Sequence, residues 1–179
     1  MTEIDHRDDH FALLGLPRQF DLDQGALTAA YRELQRSVHP DRYAGKSERE
    51  RRIAVQKSSQ INEAYDTLKS LTRRAAYLLK LSGHSVDGSN TSFTDSNFLM
   101  QQITLREELA ELEGASDPEA ALDAFYRDVD GAIAEHTAAF QRGFEDGDYA
   151  AAKDEYAKLQ FLEKLRSEAE RKEGELLDY

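Results

Sequence analysis

His39-Pro40-Asp41 sets an imidazole and a carboxylate two positions apart, a pair able to exchange a proton or to bind polar groups of a partner. Acid–base work on a substrate needs a third group, and no serine or cysteine is placed by the sequence to complete such a site. The remaining histidines offer less. His6 and His10 lie four apart in HRDDH, a spacing that suits a metal on a helix, but no further ligands accompany them and they read as part of a frayed terminus. His136 falls on an apolar helical stripe and reads as a core histidine with satisfied hydrogen bonds. Asn90-Thr91-Ser92 matches a glycosylation acceptor, with no secretion signal to make it relevant. No Gly-rich phosphate loop follows a strand, so nucleotide hydrolysis by this chain is not expected. The expectation is a protein that is not an enzyme and holds no metal or other cofactor.

Two helices must position the tripeptide. Leu27, Tyr31, Leu34 and Val38 recur at the +4, +3, +4 spacing of one buried helical face, with Asp21 or Asp23 as its N-cap. Pro40 disfavours helical backbone at His39 and cannot extend the hydrogen-bond ladder, so the helix ends there. His39 and Asp41 are left on a loop tip, where function outweighs packing. After the polar loop Asp41 to Lys46, Ser47 and Glu50 match the capping-box pattern. They open a helix that returns antiparallel and buries Ala54, Ser58, Ile61, Tyr65 and Leu68. A short helix from about His10 to Leu14 precedes this hairpin; another, capped by Thr72 and stopped by Gly83, follows it.

His84 to Ser92 is polar, Gly/Ser-rich and without apolar periodicity, and reads as a linker. Three longer helices follow. The first runs from Phe98 to Glu113 and stops at Gly114. The second starts at Asp117-Pro118 and carries Leu122, Phe125, Val129, Ile133, His136, Phe140 and Phe144 on one stripe. The third, from Gly147-Asp148, carries Tyr149, Ala152, Tyr156, Leu159, Leu162, Leu165 and Ala169. Short connections between long helices favour antiparallel neighbours, hence a three-helix bundle. The fold class expected is all-α: an antiparallel helical hairpin with flanking helices over 1–83, a linker over 84–92 and a three-helix bundle over 93–179.

Composition narrows the partners. The 179 residues include no cysteine, so neither a disulfide framework nor a thiolate zinc site is available. With 32% of residues charged and no apolar run near twenty, no membrane span is expected. The polar, acidic start resembles neither a secretion signal nor a transit peptide, which makes the cytoplasm the default location. Residues 1–83 hold 14 Lys/Arg against 12 Asp/Glu, whereas residues 84–179 hold 9 against 23. So acidic a chain repels nucleic acid over most of its surface, and the uneven split suggests two modules with separate partners.

Each module has one candidate contact surface. At about 100° per residue, Arg32, Arg36 and His39 share a face opposite the Leu27/Leu34 stripe. Joined to His39-Pro40-Asp41, this basic strip suits an acidic protein surface, with binding that weakens in salt. In the second module Phe98, Leu105, Leu109 and Leu112 form the core stripe. Leu99, Met100 and Ile103 point roughly 100° to 200° away from it, and Glu107 and Glu111 continue that second face. Phe161 is similarly off the stripe of the last helix. These residues suit an apolar patch with an acidic edge; it is either a partner site or a surface packed against the first module or the linker.

HFALLGLP, QRSVHPDRYA, INEAYDTLKS and RRAAYLLKL resemble the J-domain of the HscB family, iron–sulfur cluster co-chaperones. FLMQQITLREELAELE, KLQFLEKLRSEAE and the final ELLDY resemble that family's C-terminal domain, so the likeness covers nearly the whole chain. The resemblance implies a J-domain that stimulates the ATPase of an HscA-type chaperone through His39, Pro40 and Asp41, aided by Arg32 and Arg36. It implies a C-terminal domain that brings an IscU-type scaffold protein through Leu99, Met100, Ile103, Glu107, Glu111 and Phe161. Thr104 departs from the acidic residue that members often carry there, which weakens the acidic edge. The paired-cysteine extension of some eukaryotic relatives has no counterpart, which points to a bacterial protein. A general J-domain adaptor serving another client is the alternative reading, and a metal-dependent hydrolase the third.

Overall fold

A computed structural model describes residues 9–86 and 93–177; His6 and the Asn90-Thr91-Ser92 acceptor lie outside them. The described residues are helical with no strand, and the chain divides into two compact units, Met1–Ser85 and Val86–Tyr179.

In the first unit α1 (His10–Leu13) precedes α2 (Gln24–Ser37), α3 (Glu48–Lys69) and α4 (Leu71–Leu81). Asp23, rather than Asp21, caps α2 by accepting the Ala26 amide, and Ser47 and Glu50 complete the capping box of α3. Residue numbers run in opposite directions along the α2–α3 seam. Tyr31 stacks on Tyr65 at 4.1 Å between centroids, its hydroxyl donates to Asn62 Oδ1, and Gln35 meets Ser58 one turn further on. The seam is therefore an antiparallel hairpin. Leu27, Val38, Ala54, Ile61 and Leu68 are buried in it, each large side chain contributing about 1.5–3 kcal/mol. Tyr31, Leu34, Ser58 and Tyr65 are only half-buried because they flank this seam, while Ala64, not expected in the core, is fully enclosed.

Two local expectations change. Ser70, not Thr72, caps α4: its hydroxyl accepts the Arg73 amide, and Thr72 is carried inward as a buried helical residue. Arg74 is buried as well, its Nη1 donating to the Leu68 carbonyl at the end of α3 and its guanidinium lying over Phe20. That bond ties α4 to the carbonyl-rich end of α3, where a cation is favoured. Gly83 ends α4 with φ +83°, a backbone setting that an L side chain resists.

The second unit contains α5 (Ser96–Glu111), α6 (Pro118–Glu145) and α7 (Tyr149–Leu177). α5 is shorter than its periodicity suggests, because Leu112–Gly114 tightens into a 3₁₀ turn that keeps Leu112 in the core. Side-chain pairs show the topology. Tyr126–Glu173 and His136–Glu155 run antiparallel between α6 and α7, whereas Lys158–Asp95 and Lys172–Glu113 run parallel between α7 and α5. Phe98, Leu105, Leu109, Leu122, Phe125, Val129, Leu162 and Leu165 fill the centre of this three-helix bundle.

Candidate functional site

In the first unit Val38 is buried and anchors the end of α2, so the chain leaves the core at His39. Pro40 then opens a 3₁₀ turn, Pro40–Tyr43, closed by the Arg42 amide donating to the His39 carbonyl at 2.9 Å. His39 Nδ1 accepts the Asp41 amide at 3.3 Å and lies 3.5 Å from the Asp41 carboxylate. The side chains of His39 and Asp41 are 61% and 93% exposed, so a donor and an acceptor stand together on a turn whose backbone is internally bonded. Such a tip offers both groups to whatever meets it.

Arg32 and Arg36 are exposed on α2, and no carboxylate among the described residues lies within ion-pairing distance of either. Sequence reasoning passed over the flank of this tip. Val55 is 67% exposed and lines, with Val38, Pro40, Tyr43 and Arg51, an apolar groove between the turn and α3. Val55 carries the same sequence signal as Leu99, an apolar residue off the core stripe of its helix.

In the second unit Asp95 caps α5, accepting the amides of Asn97 and Phe98. Helical geometry sends Phe98, Leu105 and Leu109 inward and leaves Leu99, Met100 and Ile103 at 39%, 63% and 51% exposure. Glu107 and Glu111 are exposed further along the same face. Leu99, Ile103, Arg106 and Glu107 line one shallow groove. Thr104 turns its hydroxyl back to the Met100 carbonyl at 3.1 Å, so it adds no charge to this edge.

Phe161 differs from the expectation of an exposed patch member. Its ring is half-buried against the core, edge-on to Phe98 at 5.9 Å and to Phe93 at 6.2 Å, and Arg106 lies across it at 5.3 Å while reaching Glu168. The reason is register: α7 runs parallel to α5 and brings Phe161 against the Leu99/Arg106 side of α5, where neighbouring rings cover most of it. It abuts the exposed face rather than standing in it.

Between α5 and α6 the Glu108 carboxyl is pushed up to about 7, first by burial and then by its hydrogen bond with Asp128 and the charges of Asp128 and Glu111. Among the described residues no three His, Asp or Glu side chains converge on a metal position, and no helix is long and apolar enough to cross a membrane.

Two family models match the chain: the DnaJ domain over residues 9–77 and the HSCB C-terminal oligomerisation domain over residues 94–170. The Co-chaperone protein HscB homologs of Aliivibrio fischeri (strain MJ11) and Vibrio cholerae serotype O1 (strain M66-2) are each 44% identical over 169 residues, covering 94% of this chain and 99% of theirs. Among solved structures, chaperone HscB from Vibrio cholerae superposes with a TM-score of 0.81 at 44% identity, covering 94% of this chain and 99% of that one. Human co-chaperone protein HscB superposes with a TM-score of 0.82 at 30% identity, covering 92% of this chain and 82% of that one.

Proposed function

Because the chain belongs to the HscB co-chaperone family, we propose that it couples an HscA-type heat-shock ATPase to an IscU-type scaffold during iron–sulfur cluster assembly. The first unit is a J-domain, which makes a heat-shock chaperone of the Hsp70 type its partner class. In this reading His39, Pro40 and Asp41 dock on the chaperone, and Arg32 and Arg36 steer the encounter. Docking stimulates hydrolysis only by binding the hydrolysis-competent state of the chaperone more tightly than the other, since a ligand shifts an equilibrium through differential affinity. Leu99, Met100 and Ile103, edged by Glu107 and Glu111 and backed by Phe161, bind the scaffold. Carrying both on one chain raises the scaffold's effective concentration at the chaperone without a new contact. The protein acts without chemistry of its own, in the bacterial cytoplasm.

One observation carries the reading: the first unit holds His39 and Asp41 exposed on its turn and the second holds Leu99, Met100 and Ile103 exposed on α5, while the core stripes beneath them are closed. The test is chaperone ATPase turnover with and without this protein and the scaffold. Stimulation by the protein, raised further by the scaffold, is expected. Asp41→Asn should abolish the stimulation and leave scaffold binding intact; a fully stimulating variant overturns the assignment. Stimulation without any scaffold binding would instead identify an adaptor for another client.

A further inference from the structure

Five polar side chains from all three helices of the second unit form a continuous run that leaves α5 at its cap and returns to it two turns later. One Asp95 oxygen caps α5, and the other accepts Lys158 Nζ at 2.9 Å. Lys158, 7% exposed, also donates to Glu155 at 3.1 Å. The second Glu155 oxygen lies 2.7 Å from His136 Nδ1, and His136 Nε2 lies 2.9 Å from Gln101 Oε1 on α5. Within this ring sits Phe98, with the Lys158 ammonium 5.6 Å above its face and the His136 ring edge-on at 5.3 Å.

The stretch held this way, Asp95 to Gln101, is about 9 Å of helix and contains Leu99 and Met100; Ile103 lies half a turn beyond. Gln101 and the cap grip α5 from the side of α6 and α7, so the opposite side stays open. Rotation of α5 by one residue's angle, about 100°, would break both ends of the run and turn Leu99 and Met100 away from their present facing. The apolar core opposes a full rotation of this kind, since Thr104 or Arg106 would take the place of Leu105, but over the first two turns of α5 Phe98 alone is a buried core residue, and there the polar run fixes the finer setting. Buried ionic groups add little stability over apolar ones of the same size, and their best-attested use is to select one register. Burial alone would raise the Glu155 pKa, yet the bonds from His136 and Lys158 bring it below the usual value.

We infer that Lys158 is a positioning residue for partner recognition: through Asp95 and Glu155 it sets the rotation of α5 at which Leu99, Met100 and Ile103 face outward, without touching the partner. The inference rests on the reading of that face as the scaffold-binding one.

The experiment uses the full chain and a purified IscU-type scaffold, with titration calorimetry and amide exchange along α5. Lys158→Met keeps an unbranched side chain, one atom shorter, and removes the charge. Apparent affinity scales with the fraction of molecules holding the competent setting, so a fall of that fraction to roughly a tenth weakens binding about tenfold. Amides 97 to 101 should exchange faster, Lys158→Arg should restore both readouts, and scaffold-free chaperone stimulation should be unchanged. Wild-type affinity in Lys158→Met together with faster exchange overturns the inference. So does a loss of affinity that Lys158→Arg does not restore, which would mark a merely structural lysine. Leu99→Ser is the separate control: normal scaffold binding by that variant removes the reading of the face itself, and the inference with it.

Discussion

Replacing Glu108 with glutamine should stabilise the second unit at about pH 8 and leave it nearly unchanged near pH 4.5. Glu108 on α5 faces Asp128 on α6, and burial together with that neighbour pushes its pKa from 4.5 to about 7. Below the unfolded value the carboxyl is protonated in both states, and the hydrogen bond to Asp128 is fully present. As pH rises from 4.5 towards 7, the unfolded chain releases this proton while the folded one retains it, so stability falls. Above about 7 the penalty is complete and constant. At roughly 1.4 kcal/mol per unit the shift sets a ceiling of about 3 kcal/mol. Glu108 is only partly buried, and solvent screening reduces this to on the order of 1 kcal/mol. Glutamine keeps a donor for Asp128 at every pH and so escapes the penalty. For a unit of this size about 1 kcal/mol corresponds to a melting shift of roughly 4–8 °C. Calorimetric melting of both proteins across this pH range is the assay. An equal gain at both ends, or no gain at the alkaline end, would refute the electrostatic account.

Arg32→Ala with Arg36→Ala should raise the concentration needed for half-maximal chaperone stimulation, more at low salt than at high; an equal ratio in both would remove these residues from steering. Met100→Ser with Ile103→Ser should weaken scaffold binding in calorimetry while the melting temperature moves by less than about 0.5 kcal/mol equivalent, since both residues are exposed. Phe161→Ala should differ from that pair by lowering scaffold affinity and also costing about 2 kcal/mol of stability, because its ring is shared with Phe93 and Phe98. Retained stability in a denaturant melt would show that the ring is free after all.

Local chemistry was legible in the chain itself. Pro40 stops a helix whatever surrounds it, Ser47 and Glu50 cap one another across three residues, and a +3/+4 stripe must turn inward wherever a core exists. Those rules place His39 and Asp41 on a tip and bury Phe98, Leu105 and Leu109, and they leave Leu99, Met100 and Ile103 over, since one narrow face cannot hold both sets. Facts that depend on distance between elements were not legible. Phe161 is half-covered because α7 runs parallel to α5 and sets it beside Phe98, a register that no spacing within α7 encodes. The raised Glu108 pKa needs Asp128 from another helix, and the run from Asp95 through Lys158, Glu155 and His136 to Gln101 joins residues up to 63 positions apart. Periodicity reports which way a side chain leaves its own helix; only packing decides what it meets there.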